Sequence, residues 1–171
     1  MTTNEQLVKK AISGNDEAFL ELIKIHKIDL YKTALSYLRN EGEALEAVQE
    51  VTYRAYKSMR KIKEPAYFKT WLIRIMINYC HDQLRKKKRE VLNEEYLMAQ
   101  GVTDSHDSLE VEDVLQSLDT RSRELITLKY LNGLKIKEIA SEMDCPEGTI
   151  KTWLHKALQS MRTKFSEKGE N

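Results

Sequence analysis

The sequence predicts an all-α protein: two small helical domains joined by a flexible acidic linker, the C-terminal one with a helix-turn-helix. Apolar residues recur at three- and four-residue steps through most of the chain, which is the spacing of one helix face. Only 6 glycines and 2 prolines occur in 171 residues, so a sheet would have few turns to connect its strands. A polar stretch over residues 101–108 separates two helical regions and marks the domain boundary.

The N-terminal domain is predicted to span residues 1–89 and to contain three helices. Apolar positions from Phe19 to Leu38 form a long amphipathic helix that ends near Asn40 and Gly42, residue types that tolerate the backbone needed to leave a helix. A second helix runs from about Glu43 to Met59. Its predicted inward positions are Ala44, Ala47, Val48, Val51, Ala55 and Tyr56.

The third helix opens at Pro65, because proline is favoured in the first turn of a helix. Its predicted buried stripe consists of Phe68, Trp71, Leu72, Ile75 and Tyr79. Polar and basic residues cluster on the other side, namely Arg74, Asn78, His81, Asp82, Arg85 and Arg89. A basic run at a helix end is usually a solvated surface, but an Asn in the middle and aromatic residues before it favour a DNA-binding face.

Charge is segmented along the chain, although its net value is only +1. Residues 85–89 read RKKKR, whereas no Lys or Arg occurs between Glu90 and Thr120. The predicted linker, residues 90–108, lies in this acidic tract. Simple flexibility explains such a linker, and an acidic strand is also suited to basic channels built for nucleic acid.

The C-terminal domain, residues 109–171, is predicted to carry the helix-turn-helix. Helices are predicted at about Lys135 to Met143 and Pro146 to Lys164, with a break at Asp144. In such a motif the second helix enters the major groove and presents polar side chains to base edges. The spacing alone fits an ordinary helical hairpin with a basic solvated face equally well.

Other classes of protein find little support in the sequence. The cysteines, Cys80 and Cys145, are predicted to be free thiols, and with the histidines they form no familiar zinc spacing, so neither metal nor cofactor is expected. No phosphate loop or nucleophile arrangement indicates an enzyme. Met1 to Lys10 lacks the apolar core of a signal peptide, and no apolar run could span a bilayer, so a cytoplasmic protein without membrane insertion is expected.

Two segments of the N-terminal domain resemble a known family. FKTWLIRIMINYCHDQLRKKKR, from Phe68 to Arg89, is similar to the F-x-x-W-L-x-[RK]-I-x-x-N-x-x-x-D-x-x-R signature of extracytoplasmic-function (ECF) sigma factors in the sigma-70 family. EALEAVQEVTYRAY, from Glu43 to Tyr56, resembles the helix by which sigma factors bind the beta-prime subunit of RNA polymerase. It departs from the D-A-E-D-x-x-Q-E-x-F motif of that family, with Leu45, Ala47 and Thr52 in the place of common choices.

The C-terminal segment resembles the same family. KIKEIASEMDCPEGTIKTWLHKAL, from Lys135 to Leu158, is similar to the sigma-factor domain that binds the promoter minus-thirty-five element, with its EIA and P-x-G-T-[IV]-K motifs. The family often has a Ser-Arg pair where this chain has Thr152 and Trp153. Trp153 either packs or reads bases, and the sequence leaves both open.

The resemblance implies a set of site residues. The exposed face of the second helix would bind core RNA polymerase, with Glu46, Gln49, Glu50 and Tyr53, which share a face by spacing. Contacts to the minus-ten element, where the duplex opens, would come from Tyr67, Arg74, Asn78, Arg85 and Lys86. Contacts to the minus-thirty-five element would come from Thr149, Lys151, Thr152, His155 and Lys156. Tyr67 is an equally good candidate for the core.

The implied function is that of an RNA polymerase sigma factor, which directs promoter recognition, DNA melting and transcription initiation and is not an enzyme. The implied partners are core RNA polymerase, through its beta-prime and beta subunits, promoter DNA, and an anti-sigma factor. The alternative is a helix-turn-helix transcription regulator that does not bind core polymerase. That alternative explains the C-terminal half but leaves the segment from Trp71 to Arg89 without a role.

Overall fold

A computed structural model describes residues 2–94 and 109–169, and the regular structure in these two ranges is helical throughout. The N-terminal domain contains four helices, α1 Thr3–Ile12, α2 Asp16–Leu38, α3 Glu41–Ser58 and α4 Phe68–Glu94. Two 3₁₀ turns, Met59–Lys61 and Pro65–Tyr67, connect α3 to α4. None of the described helices is long and apolar enough to cross a membrane.

Side-chain caps explain where the first three helices begin. The hydroxyl of Thr2 accepts a hydrogen bond from the Glu5 amide at 3.1 Å, and the Asn15 side chain accepts one from the Ala18 amide at 3.0 Å. Asn40 caps α3 in the same way, with the amide of Glu43 at 2.9 Å. Each cap satisfies an amide that the helix itself leaves without a partner.

The core of the N-terminal domain forms around α2, which packs against α1, α3 and α4. Its largest fully buried side chains include Leu22, Leu30, Leu72, Ile73, Met76 and Ile77. Removing a side chain of this size from water contributes about 1.5–3 kcal/mol. The packing therefore fixes α3 and α4 on neighbouring sides of α2, with their polar faces outward.

The C-terminal domain consists of α5 Leu109–Ser117, α6 Thr120–Ile126, a π-helical turn Thr127–Leu131, α7 Ile136–Glu142 and α8 Glu147–Gly169. The break between α7 and α8 is tight because Asp144 adopts a left-handed backbone with φ 56°. The Cys145 amide then donates to the Ala140 carbonyl at 3.0 Å. Pro146 opens α8, and Ile150 and Leu154 are buried, so the predicted helix-turn-helix is present.

The two domains pack against each other. Thr33 of α2 and Asn132 are both buried and hydrogen-bonded, with the Asn132 amide nitrogen 3.1 Å from the Thr33 hydroxyl. Arg123 donates to the Ser36 carbonyl at 3.1 Å, and its guanidinium carbon lies 3.9 Å from the centre of the Tyr37 ring. One hydrophobic cluster consequently extends from α1 to α8.

Several details differ from the sequence predictions. Tyr56 is not buried but half exposed, since its hydroxyl reaches across the surface and donates to Asp16 at 2.9 Å. Helix α4 continues to Glu94 and so includes the first residues of the predicted linker. The rest of that linker, residues 95–108, lies outside the described residues.

Candidate functional site

The outer surface of α3 brings together four of the predicted site residues. Glu46, Gln49 and Tyr53 are exposed and Glu50 is half-buried. Glu50 pairs with Arg54 one turn later at 3.2 Å. We call these four residues Glu46, Gln49, Glu50 and Tyr53 the α3 face.

The α3 face combines negative charge with an exposed aromatic ring. The ammonium of Lys57 lies 5.1 Å from the centre of the Tyr53 ring, which holds the ring against the helix surface. Burial and the neighbouring Glu50 raise the pKa of Tyr79, which lies beneath this surface. Exposed carboxylates beside an amide and an aromatic side chain suit a basic, polar partner surface.

The outer surface of α4 presents three of the predicted minus-ten residues to solvent. Asn78, Arg85 and Lys86 are exposed, and Arg85 pairs with Asp82 at 2.8 Å. Lys87, from the same basic run, instead pairs with Glu43 of α3. The basic run is therefore divided between the surface and the contact that joins α4 to α3.

Arg74 does not join the exposed residues of α4, because the C-terminal domain covers it. Its Nε donates to the Glu124 carboxylate at 2.9 Å, and its Nη1 donates to the Glu142 carbonyl at 2.8 Å. The side chain of Glu124 is only 10% exposed. An open cleft of about 1050 Å³ lies beside this contact, with Asn78 and Arg85 on one side and Thr120 on the other.

Tyr67 ends the 3₁₀ turn that leads into α4. The Glu64 carboxylate accepts from the Ala66 amide at 3.2 Å, and the Tyr67 amide donates to the Glu64 carbonyl at 3.0 Å. The Tyr67 side chain is half-buried. It therefore belongs neither fully to the core nor fully to the surface, and it lies on a different segment from Asn78.

The second helix of the helix-turn-helix exposes most of its predicted contact residues. Lys151, Thr152, His155 and Lys156 are exposed on α8, and Thr149 is half-buried. The Thr152 hydroxyl donates to the Gly148 carbonyl at 3.0 Å, so its proton is used within the helix. The exposed surface of early α8 thus carries two lysines, a histidine and a hydroxyl acceptor.

The Trp153 side chain packs against the hydrophobic core and is not fully exposed to solvent. It is half-buried and lies against the hydrophobic cluster of both domains. The guanidinium carbon of Arg121, from the first turn of α6, lies 4.0 Å from the centre of its ring. The structure therefore shows the packing that was one of the two alternatives left open by the sequence at this position.

A separate polar contact joins the end of α2 to α5. Arg39 ends α2 with φ 55° and reaches Asp113 at 2.9 Å and Glu112 at 3.3 Å. It also donates to the Gln116 side chain at 3.0 Å. The acidic side of α5 is thereby held at the N-terminal domain.

Burial at the domain boundary shifts several pKa values. Burial lowers the pKa of His81 below its ordinary 6.5, with a smaller opposing effect of Glu124. The His81 Nε2 has no hydrogen-bond partner among the described residues, and its ring stands edge-on to Tyr37 at 5.2 Å. Burial raises the pKa of the Cys80 thiol to about 12, so this free cysteine stays protonated. His81 is thus half-buried at the domain boundary, where it lines the same cleft as Asn78 and Arg85.

Sequence reasoning missed the residues that join the two domains. The sequence did not indicate that the domain contact would involve Arg123, Glu124 and Asn132, because polar side chains near helix ends are ordinarily solvated. Arg121 was missed for the same reason. Residues 119–124 read DTRSRE and are all polar, so nothing in the sequence indicated that Arg123 and Glu124 are buried.

The fold and the exposed second helix of its motif define a two-domain, helix-turn-helix protein. Residues 22–90 match the family model described as Sigma-70 region 2, and residues 108–161 match that described as Sigma-70, region 4. The chain therefore belongs to the sigma-70 family, within its extracytoplasmic-function group of RNA polymerase sigma factors.

Two curated relatives support this membership over most of their length. RNA polymerase sigma factor SigV of Bacillus subtilis (strain 168) is 32% identical over 145 residues, which cover 83% of this chain and 87% of the relative. ECF RNA polymerase sigma factor SigW of the same organism is 30% identical over 185 residues, covering 95% and 99%. Sigma factors are in general non-catalytic initiation factors.

Two solved structures share the fold. The structure of CnrH in complex with the cytosolic domain of CnrY matches with a TM-score of 0.72 at 24% identity, covering 97% of this chain and 99% of that one. The sigma factor RpoE in complex with the anti-sigma factor NepR from Bartonella quintana matches with a TM-score of 0.66 at 23% identity, covering 86% and 96%. The two solved structures therefore share the two-domain helical fold of this chain.

Proposed function

We propose that this sigma factor binds core RNA polymerase through the α3 face and directs it to promoters through α4 and α8. The observation that carries the proposal is that α3, α4 and α8 each expose a distinct polar surface. These surfaces occur along the chain in the order of the two matched sigma regions. We divide the chain into residues 1–89 for polymerase and minus-ten binding, a linker at 90–108, and residues 109–171 for minus-thirty-five binding.

The proposed role of the α3 face is to hold the polymerase. Its carboxylates and the Gln49 amide would pair with basic and polar groups of the beta-prime subunit, while Tyr53 supplies an apolar contact area. Polar pairs at the rim of an interface steer association, and the buried aromatic contact contributes most of the affinity. The beta subunit is the second polymerase partner that we propose.

The proposed role of α4 and the preceding turn is to open the minus-ten element. Separating DNA strands costs about 1.4 kcal/mol per base step in lost stacking. Capture of an unstacked base by Tyr67 and Asn78, with Arg74, Arg85 and Lys86 on phosphates, would offset that cost. Arg74 is free for DNA only after the C-terminal domain has left it, since Glu124 and the Glu142 carbonyl occupy its donors.

The proposed role of α8 is to dock in the major groove of the minus-thirty-five element. Lys151 and Lys156 would meet phosphates, while Thr149, Thr152 and His155 lie closer to base edges. The alternative, a regulator that acts without polymerase, uses α7 and α8 but gives the α3 face no role. We propose that the chain itself catalyses no reaction and acts in the cytoplasm, where polymerase and promoters are found.

An anti-sigma factor is a further proposed partner. The structure of RpoE contains the anti-sigma factor NepR, and its chain shares this fold. A protein that covers the α3 face or holds the two domains together would keep this sigma factor from polymerase.

The α3 face is tested by binding to purified core polymerase. We expect Gln49→Ala together with Tyr53→Ala to weaken co-elution of the protein with core polymerase by at least tenfold. Glu17→Ala together with Leu20→Ala, an exposed pair on α2, serves as the matched control and should bind normally. Unchanged binding of the α3 double variant would contradict the assignment, and failure of the unaltered protein to bind core would favour the alternative function.

A further inference from the structure

The contact between Arg121 and Trp153 joins two elements of the C-terminal domain. Arg121 lies in the first turn of α6 and is exposed, whereas Trp153 lies on the flank of α8 and is half-buried. The guanidinium carbon is 4.0 Å from the centre of the indole ring, within the distance of a cation–π contact. The indole therefore acts as a flat support for the guanidinium.

This support leaves the donors of Arg121 available. No ion pair to Arg121 is present among residues 2–94 and 109–169, although Asp119 and Glu124 line the same groove. When a guanidinium stacks on an aromatic ring, its N–H groups lie in the guanidinium plane, parallel to the ring, and point away from the guanidinium carbon towards other partners. Stacking also restricts the long side chain before any ligand binds, so less entropy is lost on binding.

The groove beside the stacked pair is bordered by one residue of the proposed DNA-binding surface, Lys156. It has a volume of about 810 Å³, and its lining includes Arg121, Trp153 and Lys156. Lys156 lies three residues after Trp153, so the two side chains are neighbours on one side of α8. Two cations, one from α6 and one from α8, thus border the same open groove. Thr120 and Ser122 also line the groove, together with the acidic residues Asp119 and Glu124.

We propose that Arg121 binds a DNA backbone phosphate next to the minus-thirty-five site, and that Trp153 positions it for this contact. The inference rests on the proposed role of α8 and extends the DNA-binding surface onto α6. A stacked guanidinium with free donors suits a phosphate, whose oxygens accept two parallel hydrogen bonds. Trp153 is then a positioning residue that reads no base itself.

The salt dependence of DNA binding tests this proposal. The full chain is titrated with a fluorescent mixed-sequence 25-base-pair duplex between about 50 and 200 mM salt, where each phosphate contact contributes about 0.9 to the log–log slope. We expect Arg121→Ala to weaken binding at least threefold and to lower the slope by about 0.9. Lys24→Ala, which removes an exposed cation from α2, is the matched control and should leave the slope unchanged.

The role of Trp153 is tested by two substitutions of different severity. Trp153→Phe keeps an aromatic support and should retain most of the affinity for DNA. Trp153→Leu removes that support and should weaken DNA binding, but by less than Arg121→Ala does. Adding Trp153→Leu to Arg121→Ala should cause no further loss of affinity for DNA, because Trp153 acts only through the Arg121 side chain, which is already absent. Independent, additive effects of the two changes would overturn the positioning role, and thermal melting by circular dichroism checks that each variant folds.

The same titration separates this proposal from the function on which it rests. Lys151→Ala together with Lys156→Ala removes cations already assigned to DNA. If that double variant weakens binding while Arg121→Ala does not, only the role of Arg121 is overturned. If neither change affects binding, the proposed DNA-binding surface on α8 is itself wrong.

Discussion

The polar residues along α4 divide between two environments. Asn78 and Arg85 face solvent, whereas Arg74 is held by Glu124 and by the Glu142 carbonyl. Asn78 lies four residues after Arg74 and Arg85 seven residues after Asn78, so the three share one side of the helix and their exposure depends on what packs above each turn. The residues exposed to solvent in this arrangement are therefore those farther from the start of α4.

Asn78 and Arg85 are predicted to affect promoter opening without affecting polymerase binding. A neutral hydrogen bond contributes about 0.5–1.5 kcal/mol and one to a charged group about 1.5–3 kcal/mol, so Asn78→Ala should reduce opening by about twofold to tenfold and Arg85→Ala by about tenfold or more. Permanganate reactivity of unpaired thymines measures the opening, and co-elution with core polymerase is the internal control. Normal opening in both variants would remove these residues from the minus-ten site.

His81 is predicted to make the stability of the protein depend on pH. Burial lowers its pKa in the folded state below the ordinary 6.5, so the unfolded chain binds a proton first as the pH falls. Stability should therefore be unaffected by His81 above pH 6.5 and should decrease as the pH drops below it. Urea unfolding between pH 5.5 and 7.5 measures this dependence.

The contribution of His81 is isolated by substitution. His81→Gln removes the titrating group but keeps a side chain of similar length, so its stability should decline less steeply at acid pH. His26 is also buried with a lowered pKa and remains in both proteins, so it cancels in the comparison. Identical pH dependence for the two proteins would contradict the assignment to His81.

At the scale of elements, the caps and the packing around α2 decide where the sites lie. The Asn40 cap fixes the start of α3, and Asp144 with its left-handed backbone fixes the angle between α7 and α8. Helix α4 connects three parts of the molecule, since it packs on α2, pairs with α3 through Lys87 and contacts the C-terminal domain through Arg74. A substitution that removes one of these contacts should thus alter the position of α4 relative to more than one neighbouring element.

Loss of the Asn40 cap is predicted to destabilise the N-terminal domain. Asn40→Ala removes the acceptor for the Glu43 amide and should lower the free energy of unfolding by about 1 kcal/mol. Asn93→Ala, at an exposed position near the end of α4, is the matched control and should change it by less than about 0.5 kcal/mol. Equal values for the two variants, measured by urea unfolding, would mean that the cap is not needed.

Much of this element order could be predicted from the sequence, because long amphipathic patterns such as that of α2 report burial directly. Helix α1 was not predicted, although Thr2 and Glu5 have the spacing of a capping box. Most of the residues proposed as sites on α3 and α8 are exposed, since a regular helix fixes which positions share a side, but Glu50 and Thr149 are half-buried. The environment of Arg74 could not be predicted, because it depends on a contact between domains that are distant in sequence.

At the scale of the whole molecule, the C-terminal domain covers part of the surface proposed to bind the minus-ten element. Buried groups join the domains, among them Thr33, Asn132 and Glu124. The Glu124 carboxylate takes the position on Arg74 that a DNA phosphate would need. If Arg74 binds the minus-ten element as proposed, the C-terminal domain must first leave it.

Glu124→Gln is predicted to favour that separation. The change removes the charge that pairs with Arg74 while keeping the shape of the side chain, so single-stranded minus-ten DNA should bind several-fold more tightly. Glu21→Gln, at an exposed position of α2, controls for the change in net charge. Fluorescence anisotropy measures the affinity, and weaker or unchanged binding of Glu124→Gln relative to Glu21→Gln would contradict the idea that Glu124 competes with DNA.

Run-off transcription with purified core polymerase tests the central claim most directly. Core polymerase alone starts RNA synthesis without selection on linear genomic fragments. We predict that adding this protein yields transcripts of discrete lengths, with start sites downstream of a shared pair of sequence elements. The same unselected products with and without the protein would contradict its role as a sigma factor.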